Sequence, residues 1–210
     1  SQILMFPGGF SAGDEPDGSG KFIATLFRNP YLAEGLENLL YKQDGLVLGI
    51  CNGFQALIKL GLLPSGHIET LTADHPTLTY NTIGRHLSRM VNTKVISTKS
   101  PWMSDAKAGE IYTVPISHGE GRFIASPQQV LEFNKTGQIA TQYVDFDGIA
   151  SMDSRFNPNQ SVAAIEGIYS PDGRVFGKMA HSERCGAGIS KNIPGQLEMP
   201  IFTSGVKYFK

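Results

Sequence analysis

An apolar run ending in a cysteine constrains this chain more than any other stretch. Gly45-Leu46-Val47-Leu48-Gly49-Ile50 does not alternate with polar residues, so a strand over Leu46 to Ile50 is buried on both faces. Phe54, Leu57 and Ile58 then recur at helical spacing, and Gly61 is the expected stop. Cys51 therefore stands where strand becomes helix. Such a turn is tight, and Gly49 and Gly53, two positions away on either side, leave room for it. The pattern is that of a nucleophile elbow with Cys in place of Ser. A thiol held there faces a helix N-terminus, whose free N–H groups and dipole favour the thiolate. A buried structural cysteine is the alternative.

With 210 residues, 40% apolar residues and 24 glycines, the chain suits one globular, turn-rich domain over residues 1–210. Eighteen basic residues nearly balance nineteen acidic ones, which gives no reason to expect a nucleic acid or an anionic membrane as partner. The apolar runs are too short to span a bilayer as helices. Two cysteines, Cys51 and Cys185, allow at most one disulfide, and a reducing, cytoplasmic setting is expected.

Ile3 to Phe6 reads as a buried strand that runs into Pro7-Gly8-Gly9-Phe10-Ser11-Ala12-Gly13-Asp14. Only glycines let such a loop approach a ligand closely. No Gly-Lys-Ser/Thr follows and the dinucleotide spacing is missing, so phosphate binding is not expected. The loop can instead present backbone N–H groups to a developing oxyanion. Lys21 to Arg28 is a short helix, and Asn29 caps a second one with Pro30 at its first position. Leu32, Leu36, Leu39 and Leu40 form its buried stripe. Further on, Arg89 to Thr98, Ile111 to Ile116, Gln138 to Val144, Ser161 to Tyr169 and Val175 to Met179 read as strands, and Trp102 as a packed loop anchor. Helices between strands in the first third and hairpins later predict an α/β fold: a flavodoxin-like, mostly parallel sheet flanked by helices, with an antiparallel β extension.

A thiolate nucleophile needs a base, and the base needs an orienting group. Of five histidines, His67, His75 and His86 lie in polar, loop-like surroundings, whereas His118 and His181 follow strands. Glu183 lies two positions after His181, on the same face if the strand continues through both. Cys51, His118, His181 and Cys185 lack closely paired ligand spacing, so a metal site is not expected. Cys185 has no strand-to-helix signature around it and reads as a spectator thiol.

Gly49-Ile50-Cys51-Asn52-Gly53-Phe54-Gln55 together with His181-Ser182-Glu183 resembles the triad, or class I, glutamine amidotransferases. Pro7-Gly8-Gly9-Phe10-Ser11, Gly61-Leu62-Leu63-Pro64, His118-Gly119-Glu120-Gly121-Arg122-Phe123 and His181-Ser182-Glu183-Arg184 narrow this to the glutaminase domains of phosphoribosylformylglycinamidine synthases. The ending Phe202-Thr203-Ser204-Gly205-Val206-Lys207-Tyr208-Phe209 is similar to that of the long, fused form. The resemblance implies Cys51 as nucleophile, His181 as acid and base, and Glu183 as its orienter. It implies an oxyanion hole from the N–H groups of Gly9 and Asn52, and glutamine held by Gly8, Gln55, Ser117, His118, Gly119 and Glu120. It further implies L-glutamine as substrate, no cofactor in this domain, and a synthetase domain, on the same polypeptide or in a complex, that uses ATP and Mg2+. Relatives carry Pro where this chain has Ser182. They also begin with a strand, a helix and a strand before the equivalent of Ile3, so those elements are expected to be missing and part of the sheet to lack a neighbour. A γ-glutamyl hydrolase or peptidase on the same scaffold, and a catalytically silent docking module, are the rival readings.

Overall fold

The computed structural model describes residues 1–9, 20–186 and 188–210; Phe10 to Asp14 of the glycine-rich loop lie outside the described residues. The strands are β1 (Ile3–Phe6), β2 (Leu46–Ile50), β3 (Thr77–Thr79), β4 (Leu87–Val95), β5 (Ile111–His118), β6 (Arg122–Ile124), β7 (Ile139–Tyr143), β8 (Ile165–Tyr169) and β9 (Val175–Lys178). The helices are α1 (Lys21–Phe27), α2 (Pro30–Tyr41), α3 (Asn52–Lys59), α4 (Leu62–Ser65), α5 (Pro127–Thr136) and α6 (Ile201–Lys207).

Seven strands form one sheet in the order β1-β2-β9-β8-β7-β4-β5, and β3 pairs with β6 separately. β1, β2 and β9 pair in parallel, and the rest of the sheet is antiparallel, so the antiparallel extension has the larger number of strands. β2 is buried at every position and lies between two parallel neighbours, which explains its unbroken apolar run. β5, and β4 from Val91 on, alternate buried and half-buried residues, as strands with one covered face do. Pro115 interrupts β5 without loss because β5 is the last strand, where a missing N–H leaves no partner unpaired.

The helices follow their local signals. Asn29 caps α2 by accepting the Tyr31 N–H at 3.0 Å, and Pro30 occupies the first turn. Ser126 and Gln129 form a reciprocal capping box on α5. Trp102 is buried, donates its indole N–H to Arg174 O at 3.1 Å, and lies flat against Gly205 of α6. Leu32 departs from expectation. Leu36, Leu39 and Leu40 are buried, but Leu32 is half-exposed and lines a groove with Leu4 and Phe27. That groove flanks β1, which among the described residues pairs with β2 alone, so there the start of α2 meets no further layer.

The sheet curls until the segment after β9 reaches its last strand, β5. The His181 N–H, just beyond β9, donates to Pro115 O of β5 at 2.8 Å, although three strands, β8, β7 and β4, stand between β9 and β5 in the sheet order. Segments 130 or so positions apart in sequence thereby come together at the carboxyl end of β2.

At that end the chain packs too closely for side chains. A Cβ on Gly53 would lie 1.9 Å from Phe6 O, and one on Gly49 would lie 2.5 Å from Leu57 Cδ1 and 2.8 Å from Gly53 C. Gly53→Ala is therefore expected to destabilise the fold by about 3 kcal/mol in urea denaturation, an overpacking cost against backbone that cannot yield. Gly35→Ala, within α2 and with open space around it, is expected to raise stability by about 0.5–1 kcal/mol through helix propensity.

Candidate active site

Cys51 is the residue at which β2 ends and α3 begins, and its backbone is strained: φ is 53° and ψ −105°. Few non-glycine residues adopt such a conformation. Its N–H donates to Lys178 O at 2.8 Å and its carbonyl accepts from Gln55 N at 3.0 Å, so both sides of the residue are tied. The side chain is 5% exposed, and Sγ lies 3.6 Å from Ser117 O.

The imidazole of His181 is fully buried. Its Nδ1 meets Glu183 Oε1 at 2.5 Å, and its Nε2 has no hydrogen-bond partner among the described residues. The expected continuous strand does not carry this pair. β9 ends at Lys178, and residues 182 to 184 form a single 3-10 turn. The turn folds Glu183 back onto the ring, a contact that extended backbone gives less directly at this spacing. Glu183 is partly exposed at 35% of its side chain. Burial works to raise its pKa, but the hydrogen bond and charge of His181 outweigh it and hold the carboxyl below its ordinary value.

The side chains of Cys51 and His181 both approach Gly8. A Cβ placed there would lie 2.4 Å from His181 Cε1 and 3.4 Å from Cys51 Cβ, so both side chains flank one point of the glycine-rich loop. Gly9 follows with φ of 105°, a conformation open to glycine, and its N–H points to the Cys51 sulfur, as does that of Asn52. The two backbone donors expected for an oxyanion hole thus share one target.

The electrostatics at sulfur differ from expectation. The helix N-terminus does not make a resting thiolate. Burial pushes the Cys51 thiol up to about 11. The Asn52 N–H, the Arg184 charge and the Gly9 N–H lower it only in part, and Glu183 adds to the rise. Two donors and one exposed cation do not replace the hydration the sulfur loses.

In front of the thiol lies a small cavity of about 60 Å³, lined by Gly9, Cys51, Gln55, Ser117, His118, Gly119 and Arg184. Gly8, Asn52, Glu120 and His181 are not among its lining residues. Gln55 donates Nε2 to Glu120 O, which joins α3 to the loop after β5. Gln55 Oε1 and both ring nitrogens of His118 are buried without a partner among the described residues. Burial, then the rings of His181 and His86, push His118 down to about 3, so its imidazole is neutral at ordinary pH. Buried polar atoms without partners are uncommon, and here several gather where a polar ligand would satisfy them.

Several contributors were not picked out from the sequence. Asn81 donates Nδ2 to His118 O at 2.8 Å and accepts Gly121 N–H at 3.1 Å, so one buried side chain fixes both ends of the 118–121 loop. Asn159 Nδ2 and Ser161 Oγ both bond Gly121 O from the other side. His86, expected to be a plain surface residue, is exposed but touches Ser117 Oγ at 3.0 Å. Arg184 was visible only as part of a motif, and it rims the cavity. Cys185 donates Sγ to Leu197 O at 2.8 Å, and both cysteines are free.

Comparison with known proteins bears on this geometry. A family model described as a CobB/CobQ-like glutamine amidotransferase domain matches residues 1–209. A phosphoribosylformylglycinamidine synthase subunit PurQ from Methanococcus maripaludis strain C7 is 39% identical over 229 aligned positions, covering 99% of this chain and 80% of that one. The PurQ subunit from Treponema denticola is 41% identical, covering 87% of this chain and 70% of its own. Among solved structures, PurLQS from Thermotoga maritima matches with a TM-score of 0.71 and 27% identity, over 100% of this chain and 80% of that one. With a family model matched across nearly its whole length and relatives this similar, the chain belongs to the CobB/CobQ-like glutamine amidotransferase family.

Proposed function

We propose that the chain hydrolyses L-glutamine at Cys51 and supplies the ammonia to a synthetase that converts formylglycinamide ribonucleotide to formylglycinamidine ribonucleotide in purine biosynthesis. The observation that carries this reading is the approach of the Cys51 and His181 side chains to the same point beside Gly8, with two backbone N–H groups already aimed at the sulfur. The PurQ names of its relatives supply the pathway.

Because burial keeps the thiol protonated, the base must remove its proton as attack begins. His181 Nε2 takes that proton while Sγ adds to the side-chain amide carbon of glutamine. The carbonyl oxygen gains the negative charge, and the N–H groups of Gly9 and Asn52 stabilise it. As the C–N bond breaks, His181 returns the proton to nitrogen and ammonia leaves, with a γ-glutamyl thioester remaining on Cys51. His181 then deprotonates a water that attacks the thioester. Glutamate and the free thiol result. Glu183, bonded to Nδ1, keeps the proton on that nitrogen and Nε2 free to accept. Gln55, Ser117, His118, Gly119 and Glu120 hold the amino-acid end of the substrate around the small cavity.

ATP and Mg2+ act in the synthetase, where ATP activates the amide oxygen that ammonia displaces. The similarity of Phe202 to Phe209 to the long fused enzymes supports a synthetase on the same polypeptide. The word subunit in the relatives' names supports a separate chain. The glutaminase step is the same in either case.

Cys51→Ala is expected to abolish glutamine hydrolysis measured with the synthetase partner present, and a diazo-ketone analogue of glutamine should label the unaltered protein at Cys51; undiminished ammonia release by the variant rejects the assignment. In His181→Ala the thiol loses its base. Its alkylation by iodoacetamide is then expected to rise about tenfold per pH unit between about pH 7 and 9, because only the thiolate reacts and its pKa lies above that range. A plateau near neutral pH would show a resting thiolate instead. Gly8→Ala, which drives a methyl into His181 Cε1, should lower kcat by about a hundredfold while leaving the protein folded by circular dichroism.

A further inference from the structure

Behind His181 lies an ion pair that the chemistry above does not use. Lys178, the last residue of β9, and Glu166 of β8 have side chains with no exposure, and Lys178 Nζ is 3.3 Å from Glu166 Oε1. Their other bonds converge on a single residue, Ala180. Lys178 Nζ donates to Ala180 O at 2.8 Å, and Glu166 Oε1 accepts the Ala180 N–H at 2.6 Å. Thr141 Oγ1 donates to Glu166 Oε2 and holds the carboxylate from the neighbouring strand. The backbone carbonyl of Lys178 also accepts the Cys51 N–H. One residue is therefore tied to the nucleophile through its main chain and to the segment carrying the imidazole through its side chain.

Ala180 directly precedes His181, where the chain has left the sheet. The ladder of β9 no longer holds it there, and Ser182 does not restrict its own φ as a proline would. A fully buried ion pair is a poor source of stability, because desolvation of both charges roughly offsets their attraction, and well-packed apolar replacements are often neutral or better. Its bonds to Ala180 have a clearer consequence. We propose that Glu166 and Lys178 are positioning residues that clamp Ala180, one through its N–H and the other through its C=O, and so fix the His181 imidazole against Gly8 and Cys51. This inference rests on the glutaminase reading of Cys51 and His181. The Lys178 charge also reaches Glu183. There it adds to the effect of His181 against burial, in keeping with a carboxyl held below its ordinary pKa.

The test changes both partners together, since removing one would strand a buried charge. In the full protein with its synthetase partner, E166L/K178M is expected to keep its thermal midpoint and a glutamine KM within about twofold, while kcat falls about tenfold or more. E166Q/K178M retains a carbonyl oxygen able to accept the Ala180 N–H and is expected to recover part of that loss. Wild-type kcat in folded E166L/K178M overturns the proposal, as does an equal kcat in the two double variants. Should E166L/K178M fail to fold, T141V removes only the hydroxyl bond to Glu166; a kcat lowered about threefold at unchanged KM supports the clamp, and an unchanged kcat refutes it. The unaltered protein assayed alongside separates the two levels: no glutamine hydrolysis there sinks both the glutaminase reading and the clamp, whereas activity there with undiminished variants sinks the clamp alone.

Discussion

Cys51 occupies a backbone conformation that costs on the order of 1–3 kcal/mol, and the surrounding strands must hold it there. They do so through contacts that leave no space. Phe6 O of β1 lies where a Cβ of Gly53 would be, Gly49 of β2 packs against Gly53, and Lys178 O of β9 accepts the Cys51 N–H. The carboxyl ends of three parallel strands therefore meet at one residue. The position of the thiol follows from the parallel half of the sheet, and the two flanking glycines follow from the position of the thiol. The same packing excludes water, which is why Cys51 is buried and its thiol pKa is pushed up rather than down.

That outcome shows how two general effects compete at a helix N-terminus. Dipole and free N–H groups favour an anion by an amount typical of partly exposed sites, whereas burial of a thiolate removes far more hydration than two donors return. In the proposed reaction this is useful. A thiol that stays protonated until His181 accepts its proton does not react with passing electrophiles, and the N–H groups of Gly9 and Asn52 remain available for the oxyanion. It also places the demand on His181, whose alignment relative to Cys51 becomes the quantity that the rest of the site has to control.

The elements nearest the cysteine were the most legible in the sequence, because their signals are local and periodic. A non-alternating apolar run, a flanking glycine on each side and a helical stripe left few alternatives for residues 45 to 61, and the cap at Asn29 with Pro30 was equally direct. Leu32 misled because periodicity reports which face of a helix is apolar, not whether anything lies opposite it. The His181–Glu183 contact was legible as a pair but not in its geometry, since spacing of two fits a strand and a turn alike. Asn81, Asn159, Ser161, Glu166 and Lys178 carried no signal that a single sequence offers. Asn81, Asn159, Ser161 and Glu166 act by bonding backbone groups distant in the chain, Lys178 by bonding Ala180 O two residues on, and such bonds leave no periodicity behind.

The antiparallel extension explains why so many of those distant bonds gather at one place. A flat sheet in the observed order would set β5 well away from β9, yet the curl lets Pro115 O accept the His181 N–H and brings Ser117 O to the thiol. Cys51 is thus held by the parallel strands, part of the cavity wall by the end of β5, and His181 by the contact between the two. None of the three is in place until the sheet has closed, because the curl joins segments that are far apart in the chain. Local stability of the elbow alone would not assemble the site. Asn81, which fixes both ends of the 118–121 loop, therefore bears on the site as much as on the fold: a shift of that loop would move His118 and Gly119 in the wall of the cavity before Cys51.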